Sequence, residues 1–150
     1  MMARDREFTA YCGLYCGDCI PFTAPLFDAA EKFSDELDKR QFDEYAKLKG
    51  RTNEVFNQYG IFRKVLSELA TLRCTKTCFN NGGNPDCKIR NCARMKELEG
   101  CWECSGFEDC ELLWPSPYHG DTRKHNLRLI KEYGIENWAD KRGRHYVWDK

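Results

Sequence analysis

Several ordinary features are missing from this chain. No run of about 18 consecutive apolar residues occurs, so no membrane-spanning helix is expected. The first residues, Met1-Met2-Ala3-Arg4-Asp5-Arg6-Glu7-Phe8, contain no apolar stretch of the kind a secretory signal carries. A cytoplasmic chain with no membrane partner is therefore expected. Neither sign of charge is in excess, because 24 Lys and Arg balance 24 Asp and Glu. No global field draws the molecule to nucleic acid or to a lipid surface. Period-two alternation of apolar and polar residues is absent as well, which leaves a mainly α reading. Histidine is scarce: His119, His125 and His145 all follow the last cysteine. A catalytic zinc usually takes histidine or carboxylate ligands, and the chain has no nucleophile elbow, dinucleotide fingerprint or phosphate-binding loop. Gly82-Gly83 lacks the lysine and helix start of a P-loop. The sequence thus leans away from an enzyme.

Cysteine is what the chain has instead. Ten occur in 150 residues, seven of them in the run Cys74-x3-Cys78-x8-Cys87-x4-Cys92-x8-Cys101-x2-Cys104-x5-Cys110, with Cys12, Cys16 and Cys19 near the N-terminus. In a reducing compartment thiols stay free, bind metal or do redox work, whereas an exported chain oxidises them to disulfides. Five disulfides are the competing reading. Against them stand the missing export signal and the close spacing of the CxxC pairs. A redox dithiol reading of Cys16/Cys19 or Cys101/Cys104 wants a thioredoxin-like βαβ setting, and no such pattern is present.

Metal is the expected use. A CxxC turn supplies two thiolates from one loop while its amides face the sulfurs. Cys16-Gly17-Asp18-Cys19 and Cys101-Trp102-Glu103-Cys104 are such turns, and together they make one predicted site that would staple the N-terminal arm to the C-terminal half. Gly106, in Cys104-Ser105-Gly106, allows the tight return of a zinc knuckle. Cys74, Cys78, Cys87 and Cys92 make a second predicted group of four. Cys12 and Cys110 are less firmly placed, since either can replace a ligand of the first site, and spacing does not choose among these partitions. His119 is a further candidate ligand beside Cys101, Cys104 and Cys110, set against a plain surface histidine. Zinc, as two ions, is the expected metal. An iron–sulfur cluster is the rival, because four cysteines hold either. Cys12-x3-Cys16-x2-Cys19 also has the spacing of the radical S-adenosylmethionine signature, but the β/α barrel that carries that motif is not written in this chain.

At 150 residues with 41% hydrophobic residues, the chain suits a single cysteine-rich domain over 1–150. The metal-bound part is expected at about 74–112 with an arm at about 11–20, and C-terminal helices at about 121–142. Phe8 to Tyr11 reads as a short extended lead-in, and Gly13 and Gly17 are positioned for positive φ. Leu26, Phe27, Ala30, Phe33 and Leu37 predict a helix over about 23–39, and Phe42 to Leu48 a second one ending near Gly50. Phe33 and Phe42 are read as core residues. Asn53 or Thr52 caps a further segment, weakened at Gly60. Ile61, Phe62, Val65, Leu66, Leu69 and Leu72 then mark a buried helical face leading into Cys74. Asn80-Asn81-Gly82-Gly83-Asn84-Pro85 is a loop. Cys87 to Glu99 reads as a helix with Ile89, Cys92, Met95 and Leu98 on one side and Gly100 as its C-cap. Phe107 to Trp114 predicts a short helix holding Cys110. Asp121 or Thr122 opens a last long helix ending at Gly134, with another short one from Ile135 to Trp138.

The string Tyr11-Cys12-Gly13-Leu14-Tyr15-Cys16-Gly17-Asp18-Cys19, with Cys87-Lys88-Ile89-Arg90-Asn91-Cys92-Ala93 and Cys101-Trp102-Glu103-Cys104-Ser105-Gly106-Phe107-Glu108-Asp109-Cys110-Glu111-Leu112, resembles the prokaryotic family called domain of unknown function (DUF) 3795. The likeness runs from about Tyr11 into the helix at 126–135. It implies a small cysteine-rich protein thought to bind metal, with no established activity. In the family the first motif commonly continues Cys-Pro, whereas here Ile20 separates Cys19 from Pro21.

Two partner classes follow from this reading, protein or nucleic acid. From Arg123 to Lys150 there are eight Lys and Arg against four Asp and Glu, with Trp138, Tyr146 and Trp148 among them. Basic residues beside aromatics bind phosphates and stack bases. A solvated helix face followed by a tail is the plainer reading of the same residues.

Overall fold

The computed structural model describes residues 2–143 and 146–148. Its α-helices are α1 (Met2–Phe8), α2 (Ala24–Lys39), α3 (Phe42–Lys49), α4 (Tyr59–Thr71), α5 (Lys88–Met95) and α6 (Thr122–Tyr133), joined by short 3-10 turns. No strand forms among the described residues, only isolated bridges between Thr9 and Tyr15 and between Ser116 and Gly120. The protein is mainly α, as the missing alternation predicts.

Two compact units divide the chain. One contains residues 1–19 and 74–150, and with them all ten cysteines. The other is the uninterrupted stretch Ile20–Arg73.

In the cysteine-bearing unit the two ends of the chain share one core. Ala10 and Cys12 from the N-terminal arm pack with Phe107, Leu113, Leu127, Ile130 and Trp138. Helix α6 supplies most of it, because Thr122, Asn126, Leu127 and Ile130 recur on one helical face and are buried. Asp121 precedes this helix and Gly134, at φ 80°, follows it, close to the predicted limits. Gly13 is where the arm meets α6. Its φ is +83° and an added Cβ would lie 3.0 Å from Leu127 and 3.1 Å from the Arg123 carbonyl, so both conformation and space demand glycine. Asn126, itself buried, donates to the Gly13 carbonyl at 2.8 Å. Gly17 does not share the positive φ expected of it.

Helix α5 departs from expectation at its end and on its faces. It stops at Met95 rather than near Gly100, because Leu98 N–H reaches the Ala93 carbonyl at 2.9 Å and Glu97 N–H the Arg94 carbonyl at 3.0 Å. This is a Schellman closure with Glu97, at φ 55°, in the left-handed position usually given to glycine. Gly100 is extended instead, and the Trp102 indole occupies the space a Cβ would need. Met95, read as sharing a side with Ile89 and Cys92, is 81% exposed, while Arg90 is only 4% exposed. Phe8 closes a helix rather than an extended lead-in, the region of Cys110 is two 3-10 turns instead of one helix, and Ile135 to Asn137 form a turn.

In the other unit, Pro25 stands in the first turn of α2, where its missing N–H costs nothing. Phe27, Leu37, Ala46 and Leu66 form the buried centre. Arg63 of α4 donates to Ser34 Oγ at 3.2 Å and Asp38 at 2.6 Å, and Arg73 to Asp28 at 2.7 Å, all on α2. Asn53 caps the Glu54–Gln58 turn by accepting from Val55 N–H at 3.2 Å. Gly60 lies in the first turn of α4 and does not break it. The predicted apolar face of α4 is mostly exposed: only Leu66 is buried, while Ile61, Val65 and Leu72 are more than half exposed. Phe33 is also half-exposed, meeting Phe62 edge-on at 6.2 Å, and Phe42 is half-buried. A stretch of this size has too little interior to enclose every apolar residue its helices present.

Candidate metal centre

Both CxxC segments fold as the same small object. Cys16–Asp18 and Cys101–Glu103 are single 3-10 turns closed by Cys19 N–H to the Cys16 carbonyl and Cys104 N–H to the Cys101 carbonyl, each at 3.1 Å. The closing cysteines then leave in nearly equal extended conformations, φ −80° and ψ 122° for Cys19, φ −75° and ψ 122° for Cys104. Such a turn sets two cysteine side chains side by side, the local geometry a knuckle needs. Gly106 sits at φ −100° with nothing within 4 Å of an added Cβ, so the return after Cys104 does not depend on glycine.

Neither of two cysteine-lined recesses is lined by both turns. Cys101 and Cys104 line a recess of about 30 Å³ with Cys92 from α5 and Cys110 from the following turn. The Lys96 ammonium stands at 3.9 Å from Cys104 Sγ. Burial first, and then the neighbouring sulfurs of Cys12, Cys110, Cys104 and Cys92, push the Cys101 thiol up to about 12. Cys12, Cys78 and Cys87 line a separate recess of about 50 Å³, and burial pushes the Cys12 thiol up to about 11. Cys16 is buried against Cys78, whose backbone N–H donates to Cys16 Sγ at 3.3 Å. Cys19 and Cys74 line neither recess. What joins the N-terminal arm to the second CxxC turn is the backbone bond from Cys101 N–H to the Tyr11 carbonyl, at 2.8 Å.

No disulfide joins any of the ten cysteines. Among the described residues, no three His, Cys, Asp or Glu side chains stand together in an arrangement that could hold a metal ion as they are oriented. The recess brings Cys92, Cys101, Cys104 and Cys110 to one place without their sulfurs converging on a common centre.

Arg90 is the residue that sequence reasoning passed over. From inside the fold its guanidinium donates to the carbonyls of Cys78 at 3.4 Å, Gly82 at 3.0 Å, Asn84 at 2.7 Å and Pro85 at 2.9 Å. One side chain thus shapes the loop between Cys78 and Cys87. The available signal was chemical: a Gly- and Pro-containing loop presents carbonyls that need donors, and an arginine lies on the helix that follows.

His119 lines neither cysteine recess. It contacts Ser116 and the rings of Tyr118, Tyr146 and Trp148. Burial, and then Arg123, hold its imidazole below the usual range. Since the folded value lies below the unfolded value of about 6.5, the unfolded chain takes up the proton first as pH falls. The stability His119 contributes is complete above about pH 6.5 and is lost as pH drops toward the folded value. Melting temperature should accordingly fall less between about pH 7 and pH 5 in His119→Gln than in the unaltered protein. Equal falls would exclude this histidine as a source of the slope.

Of Trp138, Tyr146 and Trp148 in the basic C-terminal segment, two are buried. Trp138 is fully buried and Tyr146 is 6% exposed, leaving Trp148 as the accessible ring. Arg142 is paired with Asp18 at 2.6 and 2.7 Å and Arg128 with Glu108 at 2.7 and 2.6 Å. Arg144, His145 and Lys150, which the sequence placed in that tail, lie outside the described residues. No helix among the described residues is long and apolar enough to cross a membrane.

The comparisons with known proteins agree with the cysteine motifs. No curated protein and no solved structure matches the chain. The family described as Protein of unknown function (DUF3795) matches residues 8–115, a span that takes in both CxxC turns and both recesses and stops before α6. Because that match covers well over half of the 150 residues, the chain belongs to the DUF3795 family.

Proposed function

We propose that the chain is a structural metal-binding domain in which Cys92, Cys101, Cys104 and Cys110 hold one zinc ion. The observation that carries this reading is the shared recess: four sulfur donors from three separate segments, with no other metal-ligating residue type among those lining it. Four thiolates suit a closed tetrahedral zinc site, and such a site supports folding rather than hydrolysis. Lys96 beside Cys104 offsets part of the negative charge four thiolates bring. The ion would tie α5 to the 101–110 segment, a region built from single 3-10 turns. With Trp138 and Tyr146 inside, the role favoured is a stapled scaffold for a protein partner over a surface that stacks nucleic-acid bases.

Elemental analysis and an absorption spectrum of anaerobically purified protein test this directly. About one zinc per chain and a colourless solution are expected, and replacing Cys101 or Cys104 by serine should reduce the metal to a trace and lower soluble yield with it. Visible charge-transfer absorption with bound iron would replace zinc by a cluster. An unchanged metal-to-protein ratio in both serine variants would remove the ligand assignment.

A further inference from the structure

We propose that the Ile20–Arg73 unit pairs with the same unit of a second copy of this chain, through an antiparallel contact of α4 against α4. The unit contains no cysteine, so the pairing does not depend on the metal. Along one side of the α2 and α4 pair, Arg63 and Arg73 are held by Asp38 and Asp28. The other side is apolar and uncovered. Ile61, Val65 and, at the end of the helix, Leu72 recur at intervals of four and seven, so they share one face of α4, and each is more than half exposed. Beside them, Phe62 meets Phe33 of α2 at 6.2 Å and Tyr59 at 5.8 Å, and Tyr59 meets Phe42 of α3 at 5.4 Å. These rings carry the apolar surface without a break across three helices.

Area and charge both select a second copy as the occupant. With side chains of ordinary size, the exposed parts of Ile61, Val65, Leu72, Phe62 and Phe33 come to roughly 500 Å², at the upper end of what a monomer leaves in one patch. Two such faces together remove roughly 1,000 Å² from water before any polar rim is counted, about what a specific interface has to clear. Lys64 and Glu68 stand one turn apart on the edge of the stripe opposite Phe62, both exposed. Neither takes part in an ion pair among the described residues. A two-fold axis close to Val65 turns a second α4 antiparallel to the first and sets Lys64 of each copy opposite Glu68 of the other, with Ile61 near Leu72. The charged edges then meet as opposites, and the Phe62 edges meet as apolar surface. A foreign partner of one charge sign gains nothing from an edge that offers one lysine and one glutamate. With 24 basic and 24 acidic residues in each chain, no net charge drives the copies apart.

Sedimentation velocity of the full chain, kept reduced and followed from low micromolar concentration to about 200 µM, tests the pairing. A reversible shift from the chain mass to twice that mass is expected. Val65→Glu sets like charges beside the axis and should weaken the dimer about 30-fold or more, with its helical circular dichroism unchanged because the position is exposed. Lys64→Glu and Glu68→Lys, each alone, oppose like charges at both contacts and should weaken it about tenfold. An equimolar mixture of those two variants should dimerise as tightly as the unaltered chain, because the mixed pair restores opposite charges at both contacts. A monomer at every concentration would overturn the proposal. So would a dimer that Val65→Glu leaves intact, which would place the contact elsewhere, or a mixture no tighter than its two components, which would remove the antiparallel register.

Discussion

Arg90→Met should be among the most destabilising single changes in this protein, despite altering no cysteine. Arginine is almost always solvated, and here it is 4% exposed with four backbone carbonyls as its acceptors. Methionine fills much of the same volume but donates nothing. Each carbonyl left buried without a donor costs about 1–3 kcal/mol, though some will recover water because the Asn80–Pro85 loop borders solvent. A net loss of about 3–5 kcal/mol is expected, a large share of a typical domain's stability. Arg90→Lys should lie between the two, since one ammonium cannot reproduce a planar fork serving two pairs of acceptors. Urea unfolding monitored by circular dichroism gives the comparison. A midpoint for Arg90→Met equal to that of the unaltered protein would show that the carbonyl cluster contributes no net stability. The same variant should alkylate faster at Cys78, because the Cys78 carbonyl is one of the groups Arg90 holds.

Trp138→Ala carries the second large effect. The indole is wholly buried in the core with Leu127, Ile130 and Ala10. Its N–H donates to Thr9 Oγ1 at 3.2 Å, and its ring meets Tyr15 edge-on at 5.9 Å. Truncation removes the transfer free energy of a large aromatic and leaves a void, which together cost about 3–5 kcal/mol. Trp148→Ala is the matched control, being 37% exposed, and should change stability by less than about 1 kcal/mol. The contrast has a wider meaning. Trp138 lies beyond residues 8–115, the span shared with the family, yet it fills the same interior as Cys12 and Phe107. A chain ended after Pro115 loses Leu127, Ile130 and Trp138 at once and should not fold. Equal melting temperatures for the two tryptophan variants would remove Trp138 from its central place.

Both changes should also reach the proposed metal site. A site of four thiolates in a region of short turns stabilises that region only if the scaffold first brings Cys92, Cys101, Cys104 and Cys110 around one recess. Arg90, between Cys87 and Cys92, and the Trp138 core, beyond Cys110, would supply that positioning. Losing either should therefore weaken metal retention as well as the fold, because ligands that are not held in place bind with the added cost of ordering them.

Local interactions were legible from residue order alone. The limits of α2, α3 and α6 follow from apolar spacing, from Pro25 and from Gly134, since caps, breakers and the 3.6-residue period act over a few neighbours. Both CxxC turns follow for the same reason, as does the loop at Asn80–Pro85. Periodicity also says which residues share a helix face, but not whether that face is covered. Ile61, Val65 and Leu72 lie on an apolar face of α4 and remain exposed, while Arg90, charged and unremarkable in the sequence, is enclosed.

What the sequence determined by itself is a mainly α, cysteine-rich chain of the DUF3795 family with two CxxC turns and a long C-terminal helix. The tertiary structure decided which cysteines are neighbours. It grouped Cys101 and Cys104 with Cys92 and Cys110, set Cys16 against Cys78, and folded Trp138 inward from a tail that read as surface. Proximity in space depends on how distant segments pack around Leu127 and Trp138, and that packing follows from contacts between residues far apart in the chain, which no local pattern records.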